Sequence, residues 1–219
     1  MAVKKEDGRA KLRKANGDTR AAAALDADFF ARDTLTVARE LIGTTMIVGR
    51  CRCRIVETEA YTTDAASHTV TRRHKATMMR ETFAHLYVYK IYGVHYCLNF
   101  TTERDGVGAV LIRAAEPLTG TGQMARRRGT DDLKRLLNGP GRLCQALAID
   151  ATWTGRPLGR GLRLLAAPAV PSIVAGPRIG ISRATELEWR FFERDSPFVS
   201  RGPGTAGNRQ KRTRSPPEP

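Results

Sequence analysis

Within residues 54–68, RIVETEAYTTDAASH, Glu57 and Glu59 stand two positions apart, Tyr61 continues their period, and His68 follows after a short polar loop. Paired carboxylates are residue types suited to general acid/base work, and an aromatic ring with an imidazole nearby could hold a planar ligand. If residues 51–61 form a strand, its period of two places Ile55, Glu57, Glu59 and Tyr61 on one face and Val56, Thr58 and Ala60 on the other. Two carboxylates about 7 Å apart on a buried face repel each other, so one needs a cationic partner or a raised pKa. Taken alone, the pattern fits equally an exposed strand with two solvated glutamates. The neighbouring aromatics change the balance, because an anion beside aromatic surfaces suits a cation-like transition state or an electron-poor ring.

A second cluster, LYVYKIYGVHYCLN at residues 86–99, places Tyr87 and Tyr89 on one strand face and Tyr92 beside Gly93 at a turn. Cross-strand packing accounts for Tyr87. An aromatic residue at a hairpin tip costs solubility, and in a basic protein it could serve as a wedge or a stacking platform for bases.

The chain is basic throughout: its formal charge is +15, of which residues 1–20 and 201–219 carry +4 each, leaving +7 on the body. A phosphate-rich partner such as nucleic acid follows on electrostatic grounds. The arms 1–24 and 202–219 are too polar to bury a core and are expected to be disordered. Residues 25–201 are long enough for one domain. Cys51 and Cys53 form C-x-C, while Cys97 and Cys144 stand apart, so neither a zinc site nor a disulfide framework is indicated. No secretory h-region or long apolar run is present. The expectation is a soluble, intracellular, monomeric protein with free thiols and no membrane partner.

The elements that must position these residues are legible in outline. An amphipathic helix is expected over 34–43, ended by Gly43. A hairpin should turn at Gly49, and two further strands should meet near Tyr92 and Gly93. A strand over 107–117 should stop at Pro117, followed by helices over 118–128, 131–139 and 140–149. LRLLA, RIGIS and WRFFE read as short strands. Strands, then helices, then strands without regular alternation point to an α+β domain.

The blocks RIVETEAY, ASH, LYVYKIYGVHYCLN, VLIRAAEP, NGPGRLCQALAI, PRIGIS and WRFF with SPFVSR, in this order over residues 30–201, resemble the alkyladenine (3-methyladenine) DNA glycosylase family. The resemblance implies a compact domain with a curved antiparallel sheet and a protruding hairpin. It implies a monofunctional enzyme that flips a damaged purine from duplex DNA and hydrolyses its N-glycosidic bond with water as nucleophile and no metal or organic cofactor. Position by position, Glu59 matches the family's general base and Arg113 the arginine that helps hold the water. Tyr61, His68 and Tyr89 match residues that enclose the flipped base, Asn99 matches the asparagine that disfavours normal guanine, and Ile179 matches a backbone carbonyl facing the water. Tyr92 matches the residue that fills the gap in the base stack, with Val94 and His95 beside it. Lys90, Arg142 and the triplet Arg126, Arg127 and Arg128 are candidate phosphate contacts, although a solvated helix face accounts equally for the triplet. Where the family commonly has a Gly-Pro-Pro-Gly-like turn, this chain has Glu81-Thr82-Phe83-Ala84.

Two other readings use the same residues. A non-catalytic nucleic-acid-binding protein could keep the scaffold, but it would not need intact Glu59 and Arg113. A carbohydrate-active enzyme could use Glu57 and Glu59 as an acid/base pair; the basic charge and Tyr92 count against it.

Overall fold

The computed structural model describes residues 22–73, 76–167 and 172–202. The expected arms therefore fall almost wholly outside the described residues. Ala24, near the end of the first arm, bridges to Leu165.

The hairpin expected at Gly49 forms from β1 (Thr45–Val48) and β2 (Cys51–Tyr61), and the tyrosine-rich hairpin forms from β3 (Leu86–Ile91) and β4 (His95–Thr102). At its tip Tyr92 and Gly93 both adopt positive φ, 51° and 71°, the primed-turn geometry that matches strand twist. With β5 (Gly108–Thr119) and β6 (Leu162–Leu165), the strands pair antiparallel in the order β3-β4-β5-β2-β1-β6. A short pair, β7 (Ile173–Gly176) and β8 (Arg190–Glu193), joins through β8 to the second half of β2. The result is a curled antiparallel sheet flanked by helices in one α+β domain, as the sequence indicates. No helix among the described residues is long and apolar enough to cross a membrane.

The main core lies on one face of the sheet. Helix α1 (Ala27–Phe30) and helix α2 (Thr34–Glu40) bring Phe30, Val37 and Ala38 onto Ile55, Phe100 and Ile112, each fully buried. Each such large side chain contributes about 1.5–3 kcal/mol by leaving water. Asp33 caps α2 by accepting from Thr36 N–H at 2.8 Å. Beyond the helix Gly43, at φ 89°, donates to Ile55 C=O at 2.8 Å, which ties the helix exit to β2. The 68–71 and 77–81 segments form short helices, α3 (His68–Thr71) and α4 (Thr77–Glu81), with no clear apolar period to announce them. After α4, Glu81-Thr82-Phe83-Ala84 turns without glycine: Thr82 Oγ1 donates to Met78 C=O at 2.6 Å, and Ala84 takes the left-handed conformation, φ 57°.

Several expectations are corrected. Strand β5 runs two residues past Pro117, because Leu118 is skipped where Arg52 pairs with Thr119 and Cys53 with Pro117. A register irregularity is where a strand tolerates a residue without an N–H. The first middle helix, α5 (Thr121–Arg128), consequently starts three residues late, after Gly120. The second shrinks to α6 (Leu133–Leu136), capped by Asp132, and the third is α7 (Pro140–Leu147). The segment 178–182 is not a strand: its first side chain, Arg178, is buried and the N–H of Ile179 bonds a carboxylate instead of a neighbouring strand.

Val56 makes the largest difference. Ile55 pairs with Ala115 and Glu57 with Ala114, so Val56 is extra on β2, and the register shifts again before Thr58. Ile55 therefore packs with Cys51 and Cys53 in the main core rather than sharing a face with Glu57. After the bulge Thr58, donating to Ala38 C=O at 2.7 Å, and Ala60 turn to the core. Glu57, Glu59 and Tyr61 turn to the other face.

The turn into α5 is tightly constrained. Gly120 sits at φ 77°, where an added Cβ would lie 2.9 Å from both Arg50 C=O and Cys51 Cα. Gly120→Ala is expected to cost about 1–3 kcal/mol through strain and overpacking, read as a lower urea midpoint with an unchanged slope.

Candidate active site

On the face opposite the main core, Met79, Tyr87 and Ala109 form a smaller buried cluster with Tyr61 and Tyr89 packed on it. Above it opens a cavity of about 810 Å³, lined by Tyr61, His68, Tyr89, Asn99, Arg113 and Ile179 among others. All seven residues expected to do chemistry or hold a base thus converge, with Glu59 fully buried directly behind Tyr61, Arg113 and Ile179.

The two glutamates have different surroundings. Glu57 is fully buried: its Oε1 accepts from Arg190 Nε at 2.6 Å, Ser200 Oγ at 2.9 Å and Arg113 Nε at 3.3 Å, and its Oε2 from Ser200 N–H at 2.7 Å. Glu59 Oε1 accepts from Ile179 N–H at 2.6 Å and lies 3.2 Å from Arg113 Nη1, while Oε2 accepts only from Tyr61 OH, at 2.8 Å. Arg113 is shared between the carboxylates. It lies on β5, at the position the register skips opposite the β2 bulge, which turns it inward.

Burial pushes the Glu59 carboxyl above its ordinary range, against the lowering effect of Arg113, the Ile179 N–H and Tyr61. Ionising Glu59 therefore costs stability as pH rises past the usual glutamate value, because burial outweighs the donors around it. Burial, with the Glu59 charge beside it, also raises the Tyr61 phenol, which keeps it a donor.

Ile179 meets Glu59 through its backbone N–H. Tyr87, assigned to packing, does more: its hydroxyl lies 2.7 Å from His68 Nδ1, and its ring stands 5.4 Å from that of Tyr89, centroid to centroid. His68 in turn meets the Tyr89 ring edge-on at 4.5 Å. Asn99 is fixed by donating from Nδ2 to Tyr87 C=O at 2.9 Å.

Tyr92 stands at the cavity rim, 79% exposed, with Val94 at 68% beyond it. His95 lines the cavity and packs against Gly141 at the start of α7, where an added Cβ would approach its Cβ to 2.9 Å. Lys90 is not a lining residue; its Nζ sits 5.9 Å from the Tyr96 ring centroid. Arg142 and Arg128 line the cavity, with Arg142 Nη1 held by Asn138 Oδ1 at 2.8 Å and Arg128 bonded to Leu136 C=O and Gln145. Arg127 instead ties α5 to Ala146 C=O at 2.8 Å, and neither it nor Arg126 reaches the cavity. Arg72 and Arg183 add two rim cations that the sequence did not single out. Asp64, Arg190 and Ser200 were also missed. Asp64 lies inside the glutamate-bearing segment, but only the fold brings Arg178 to it. Among the described residues no group of three or more His, Cys, Asp or Glu converges on a common metal position, and the four cysteines are free and buried.

Because Glu57 balances two buried arginines, Glu57→Gln is expected to destabilise the protein by about 3–5 kcal/mol, seen as a melting temperature lower by roughly 10 °C. A variant that melts like the parent would show that the pair is not needed for stability.

The sequence profile of methylpurine-DNA glycosylases matches residues 28–197. Similar proteins include one from Agrobacterium fabrum, 50% identical over 178 residues that make up 79% of this chain and 90% of that protein. Others come from Nitrosospira multiformis, 46% identical over 78% of this chain and 91% of the relative, and Chlorobaculum parvum, 44% identical over 80% and 90%. Each carries a provisional name as a 3-methyladenine DNA glycosylase. A profile spanning the β2 carboxylates, the hairpin, Arg113 and β8, together with relatives matched over most of their length, shows that this chain belongs to the methylpurine-DNA glycosylase family.

Proposed function

We propose that the protein, acting as a monomer, flips alkylated or deaminated purines out of duplex DNA into the tyrosine-lined cavity and hydrolyses the N-glycosidic bond with a water activated by Glu59. The lesion class comprises 3-methyladenine, 7-methylguanine, hypoxanthine and ethenoadenine. The observation that carries this reading is the difference between the two buried carboxylates: Glu59 lies directly behind Tyr61, Arg113 and Ile179, which line the cavity, with one donor on Oε2, whereas Glu57 is held by Arg190 and Ser200, which do not line it. The unlike surroundings of Glu57 and Glu59 also disfavour a carbohydrate-active site with two interchangeable acids.

Each step follows from a named group. Tyr92, at the hairpin tip, fills the space the base vacates, and the rim arginines hold the distorted backbone. Flipping costs less for a damaged or mispaired base, which supplies part of the selectivity. Tyr61 and Tyr89 flank the base, His68 contacts it, and Asn99, held by Tyr87 C=O, stands where the exocyclic amino group of guanine would collide. Glu59 has no exposed surface and meets the cavity through Tyr61, Arg113 and Ile179, which line it. As the bond to the base lengthens, positive charge grows on the sugar; Glu59 takes the water's proton and its charge steadies the oxocarbenium character. Arg113 and the Ile179 N–H hold the carboxylate in register throughout.

Glu59→Gln is expected to lower base release from a duplex with one hypoxanthine by about 10²–10⁴-fold in single-turnover assays, while binding to abasic-site duplex stays near that of the parent. Near-parental turnover would overturn the assignment of the base. Since Glu59 must be ionised to act and burial raises its pKa, the acid limb of kcat/KM should lie above the ordinary glutamate value of about 4.3. Arg113→Met, which removes the strongest opposing influence, should move that limb to higher pH; an unmoved limb would assign it to another group.

A further inference from the structure

Behind Tyr61, on the side away from the cavity, lies a second charged unit that the proposed chemistry does not use. Arg178, whose side chain has no exposed surface, places its guanidinium carbon 4.7 Å from the centroid of the Tyr61 ring and 5.1 Å from that of Trp189. It donates to Ala60 C=O at 2.9 Å and to both carboxylate oxygens of Asp64, at 3.1 and 2.6 Å. Its Nε is buried and has no hydrogen-bond partner. Neither Arg178 nor Asp64 lines the cavity, yet Tyr61 does, so one ring separates this cation from whatever occupies the pocket. Burial works against the Asp64 charge, but the Arg178 hydrogen bonds hold its carboxyl below the usual range.

A cation on the back of an aromatic ring makes its other face less attractive to a second cation, and its own field extends through the ring. The two kinds of damaged purine respond oppositely. When the bond from C1′ to the purine nitrogen breaks, the electron pair leaves with the base. A neutral base such as hypoxanthine gains negative charge as it departs, while a cationic base such as 7-methylguanine arrives positive and departs neutral. A fixed positive charge behind the ring thus assists departure of the neutral base and opposes entry of the cationic one. Asp64, paired with it, sets how much of that charge the pocket feels.

We propose that Arg178, tempered by Asp64, is a specificity-determining pair that tilts this enzyme toward neutral over cationic purines by charging the rear face of Tyr61. The inference rests on the base-excision reading above. It differs from scaffolding because loss of packing would slow both substrates together, whereas a charge effect changes their ratio and does so in opposite directions for the two partners.

The experiment measures single-turnover kcat/KM on two duplexes, one with a single hypoxanthine and one with a single 7-methylguanine. Arg178→Met is expected to lower the neutral-to-cationic ratio about fivefold, and Asp64→Asn to raise it by a similar factor. Arg178→Lys, which keeps the charge without the fork, should stay within about twofold of the parent. Parallel losses on both substrates with unchanged ratios would overturn the proposal, as would a shift of the same sign in the Met and Asn variants. If Arg178→Met does not fold, Asp64→Asn decides alone: a raised ratio supports the proposal and an unchanged one overturns it. A parent protein that releases neither base would instead refute the excision reading itself.

Discussion

Two carboxylates held side by side on one strand and buried out of water are the constraint on which the site depends. Left unpaired, each would take up a proton or drive the strand open. The fold answers with cations and donors brought from four separate places: Arg113 from β5, Arg190 from β8, Ile179 from an irregular loop and Ser200 from the last described turn. These donors fall unequally. Glu57 faces two arginines and Ser200, while Glu59, with one arginine, one backbone N–H and Tyr61 around it, is raised by burial and costly to ionise.

That inequality has a geometric origin in the double irregularity of the β2–β5 ladder. The extra Val56 moves Glu57 off the core face that Ile55 occupies, and the skipped Arg113 is turned between the two carboxylates. Bulges beside active sites re-aim side chains in this way. The shape of the sheet then divides labour: one face packs α1, α2 and α7 and carries most of the stability, while the other carries the tyrosine cluster, the cavity and the exposed hairpin tip. The same arrangement sets Arg178 behind Tyr61, so the pocket wall is itself polarised from the rear.

Much of this was legible in the residues. The hairpins at Gly49 and Gly93 were marked by β-branched or aromatic runs meeting at glycine, and the helices beginning near Thr34 and at Pro140 by spacing and caps. Glu59, Arg113, Tyr61 and His68 were named from family resemblance, since strand period alone left the two glutamates interchangeable. The misread elements share a cause: Pro117 and residues 178–182 were judged by local propensity, whereas a register shift accommodates the first and a carboxylate from another strand claims the backbone of the second. Lys90, a candidate phosphate contact, lies outside the cavity lining with its Nζ 5.9 Å from the Tyr96 ring centroid, since alternation along β3 turns it away from the cavity that Tyr89 lines.

The sequence by itself determined the α+β class, the basic character, the family and the residue types of the site, because composition, periodicity and ordered motifs are local properties of the chain. Only the tertiary structure decided which glutamate lies behind the cavity wall and which meets Arg190 and Ser200, that Tyr87 holds His68, and that Asp64 meets Arg178 across 114 positions. A buried charge is governed by what surrounds it in three dimensions, and those partners lie far apart along the chain.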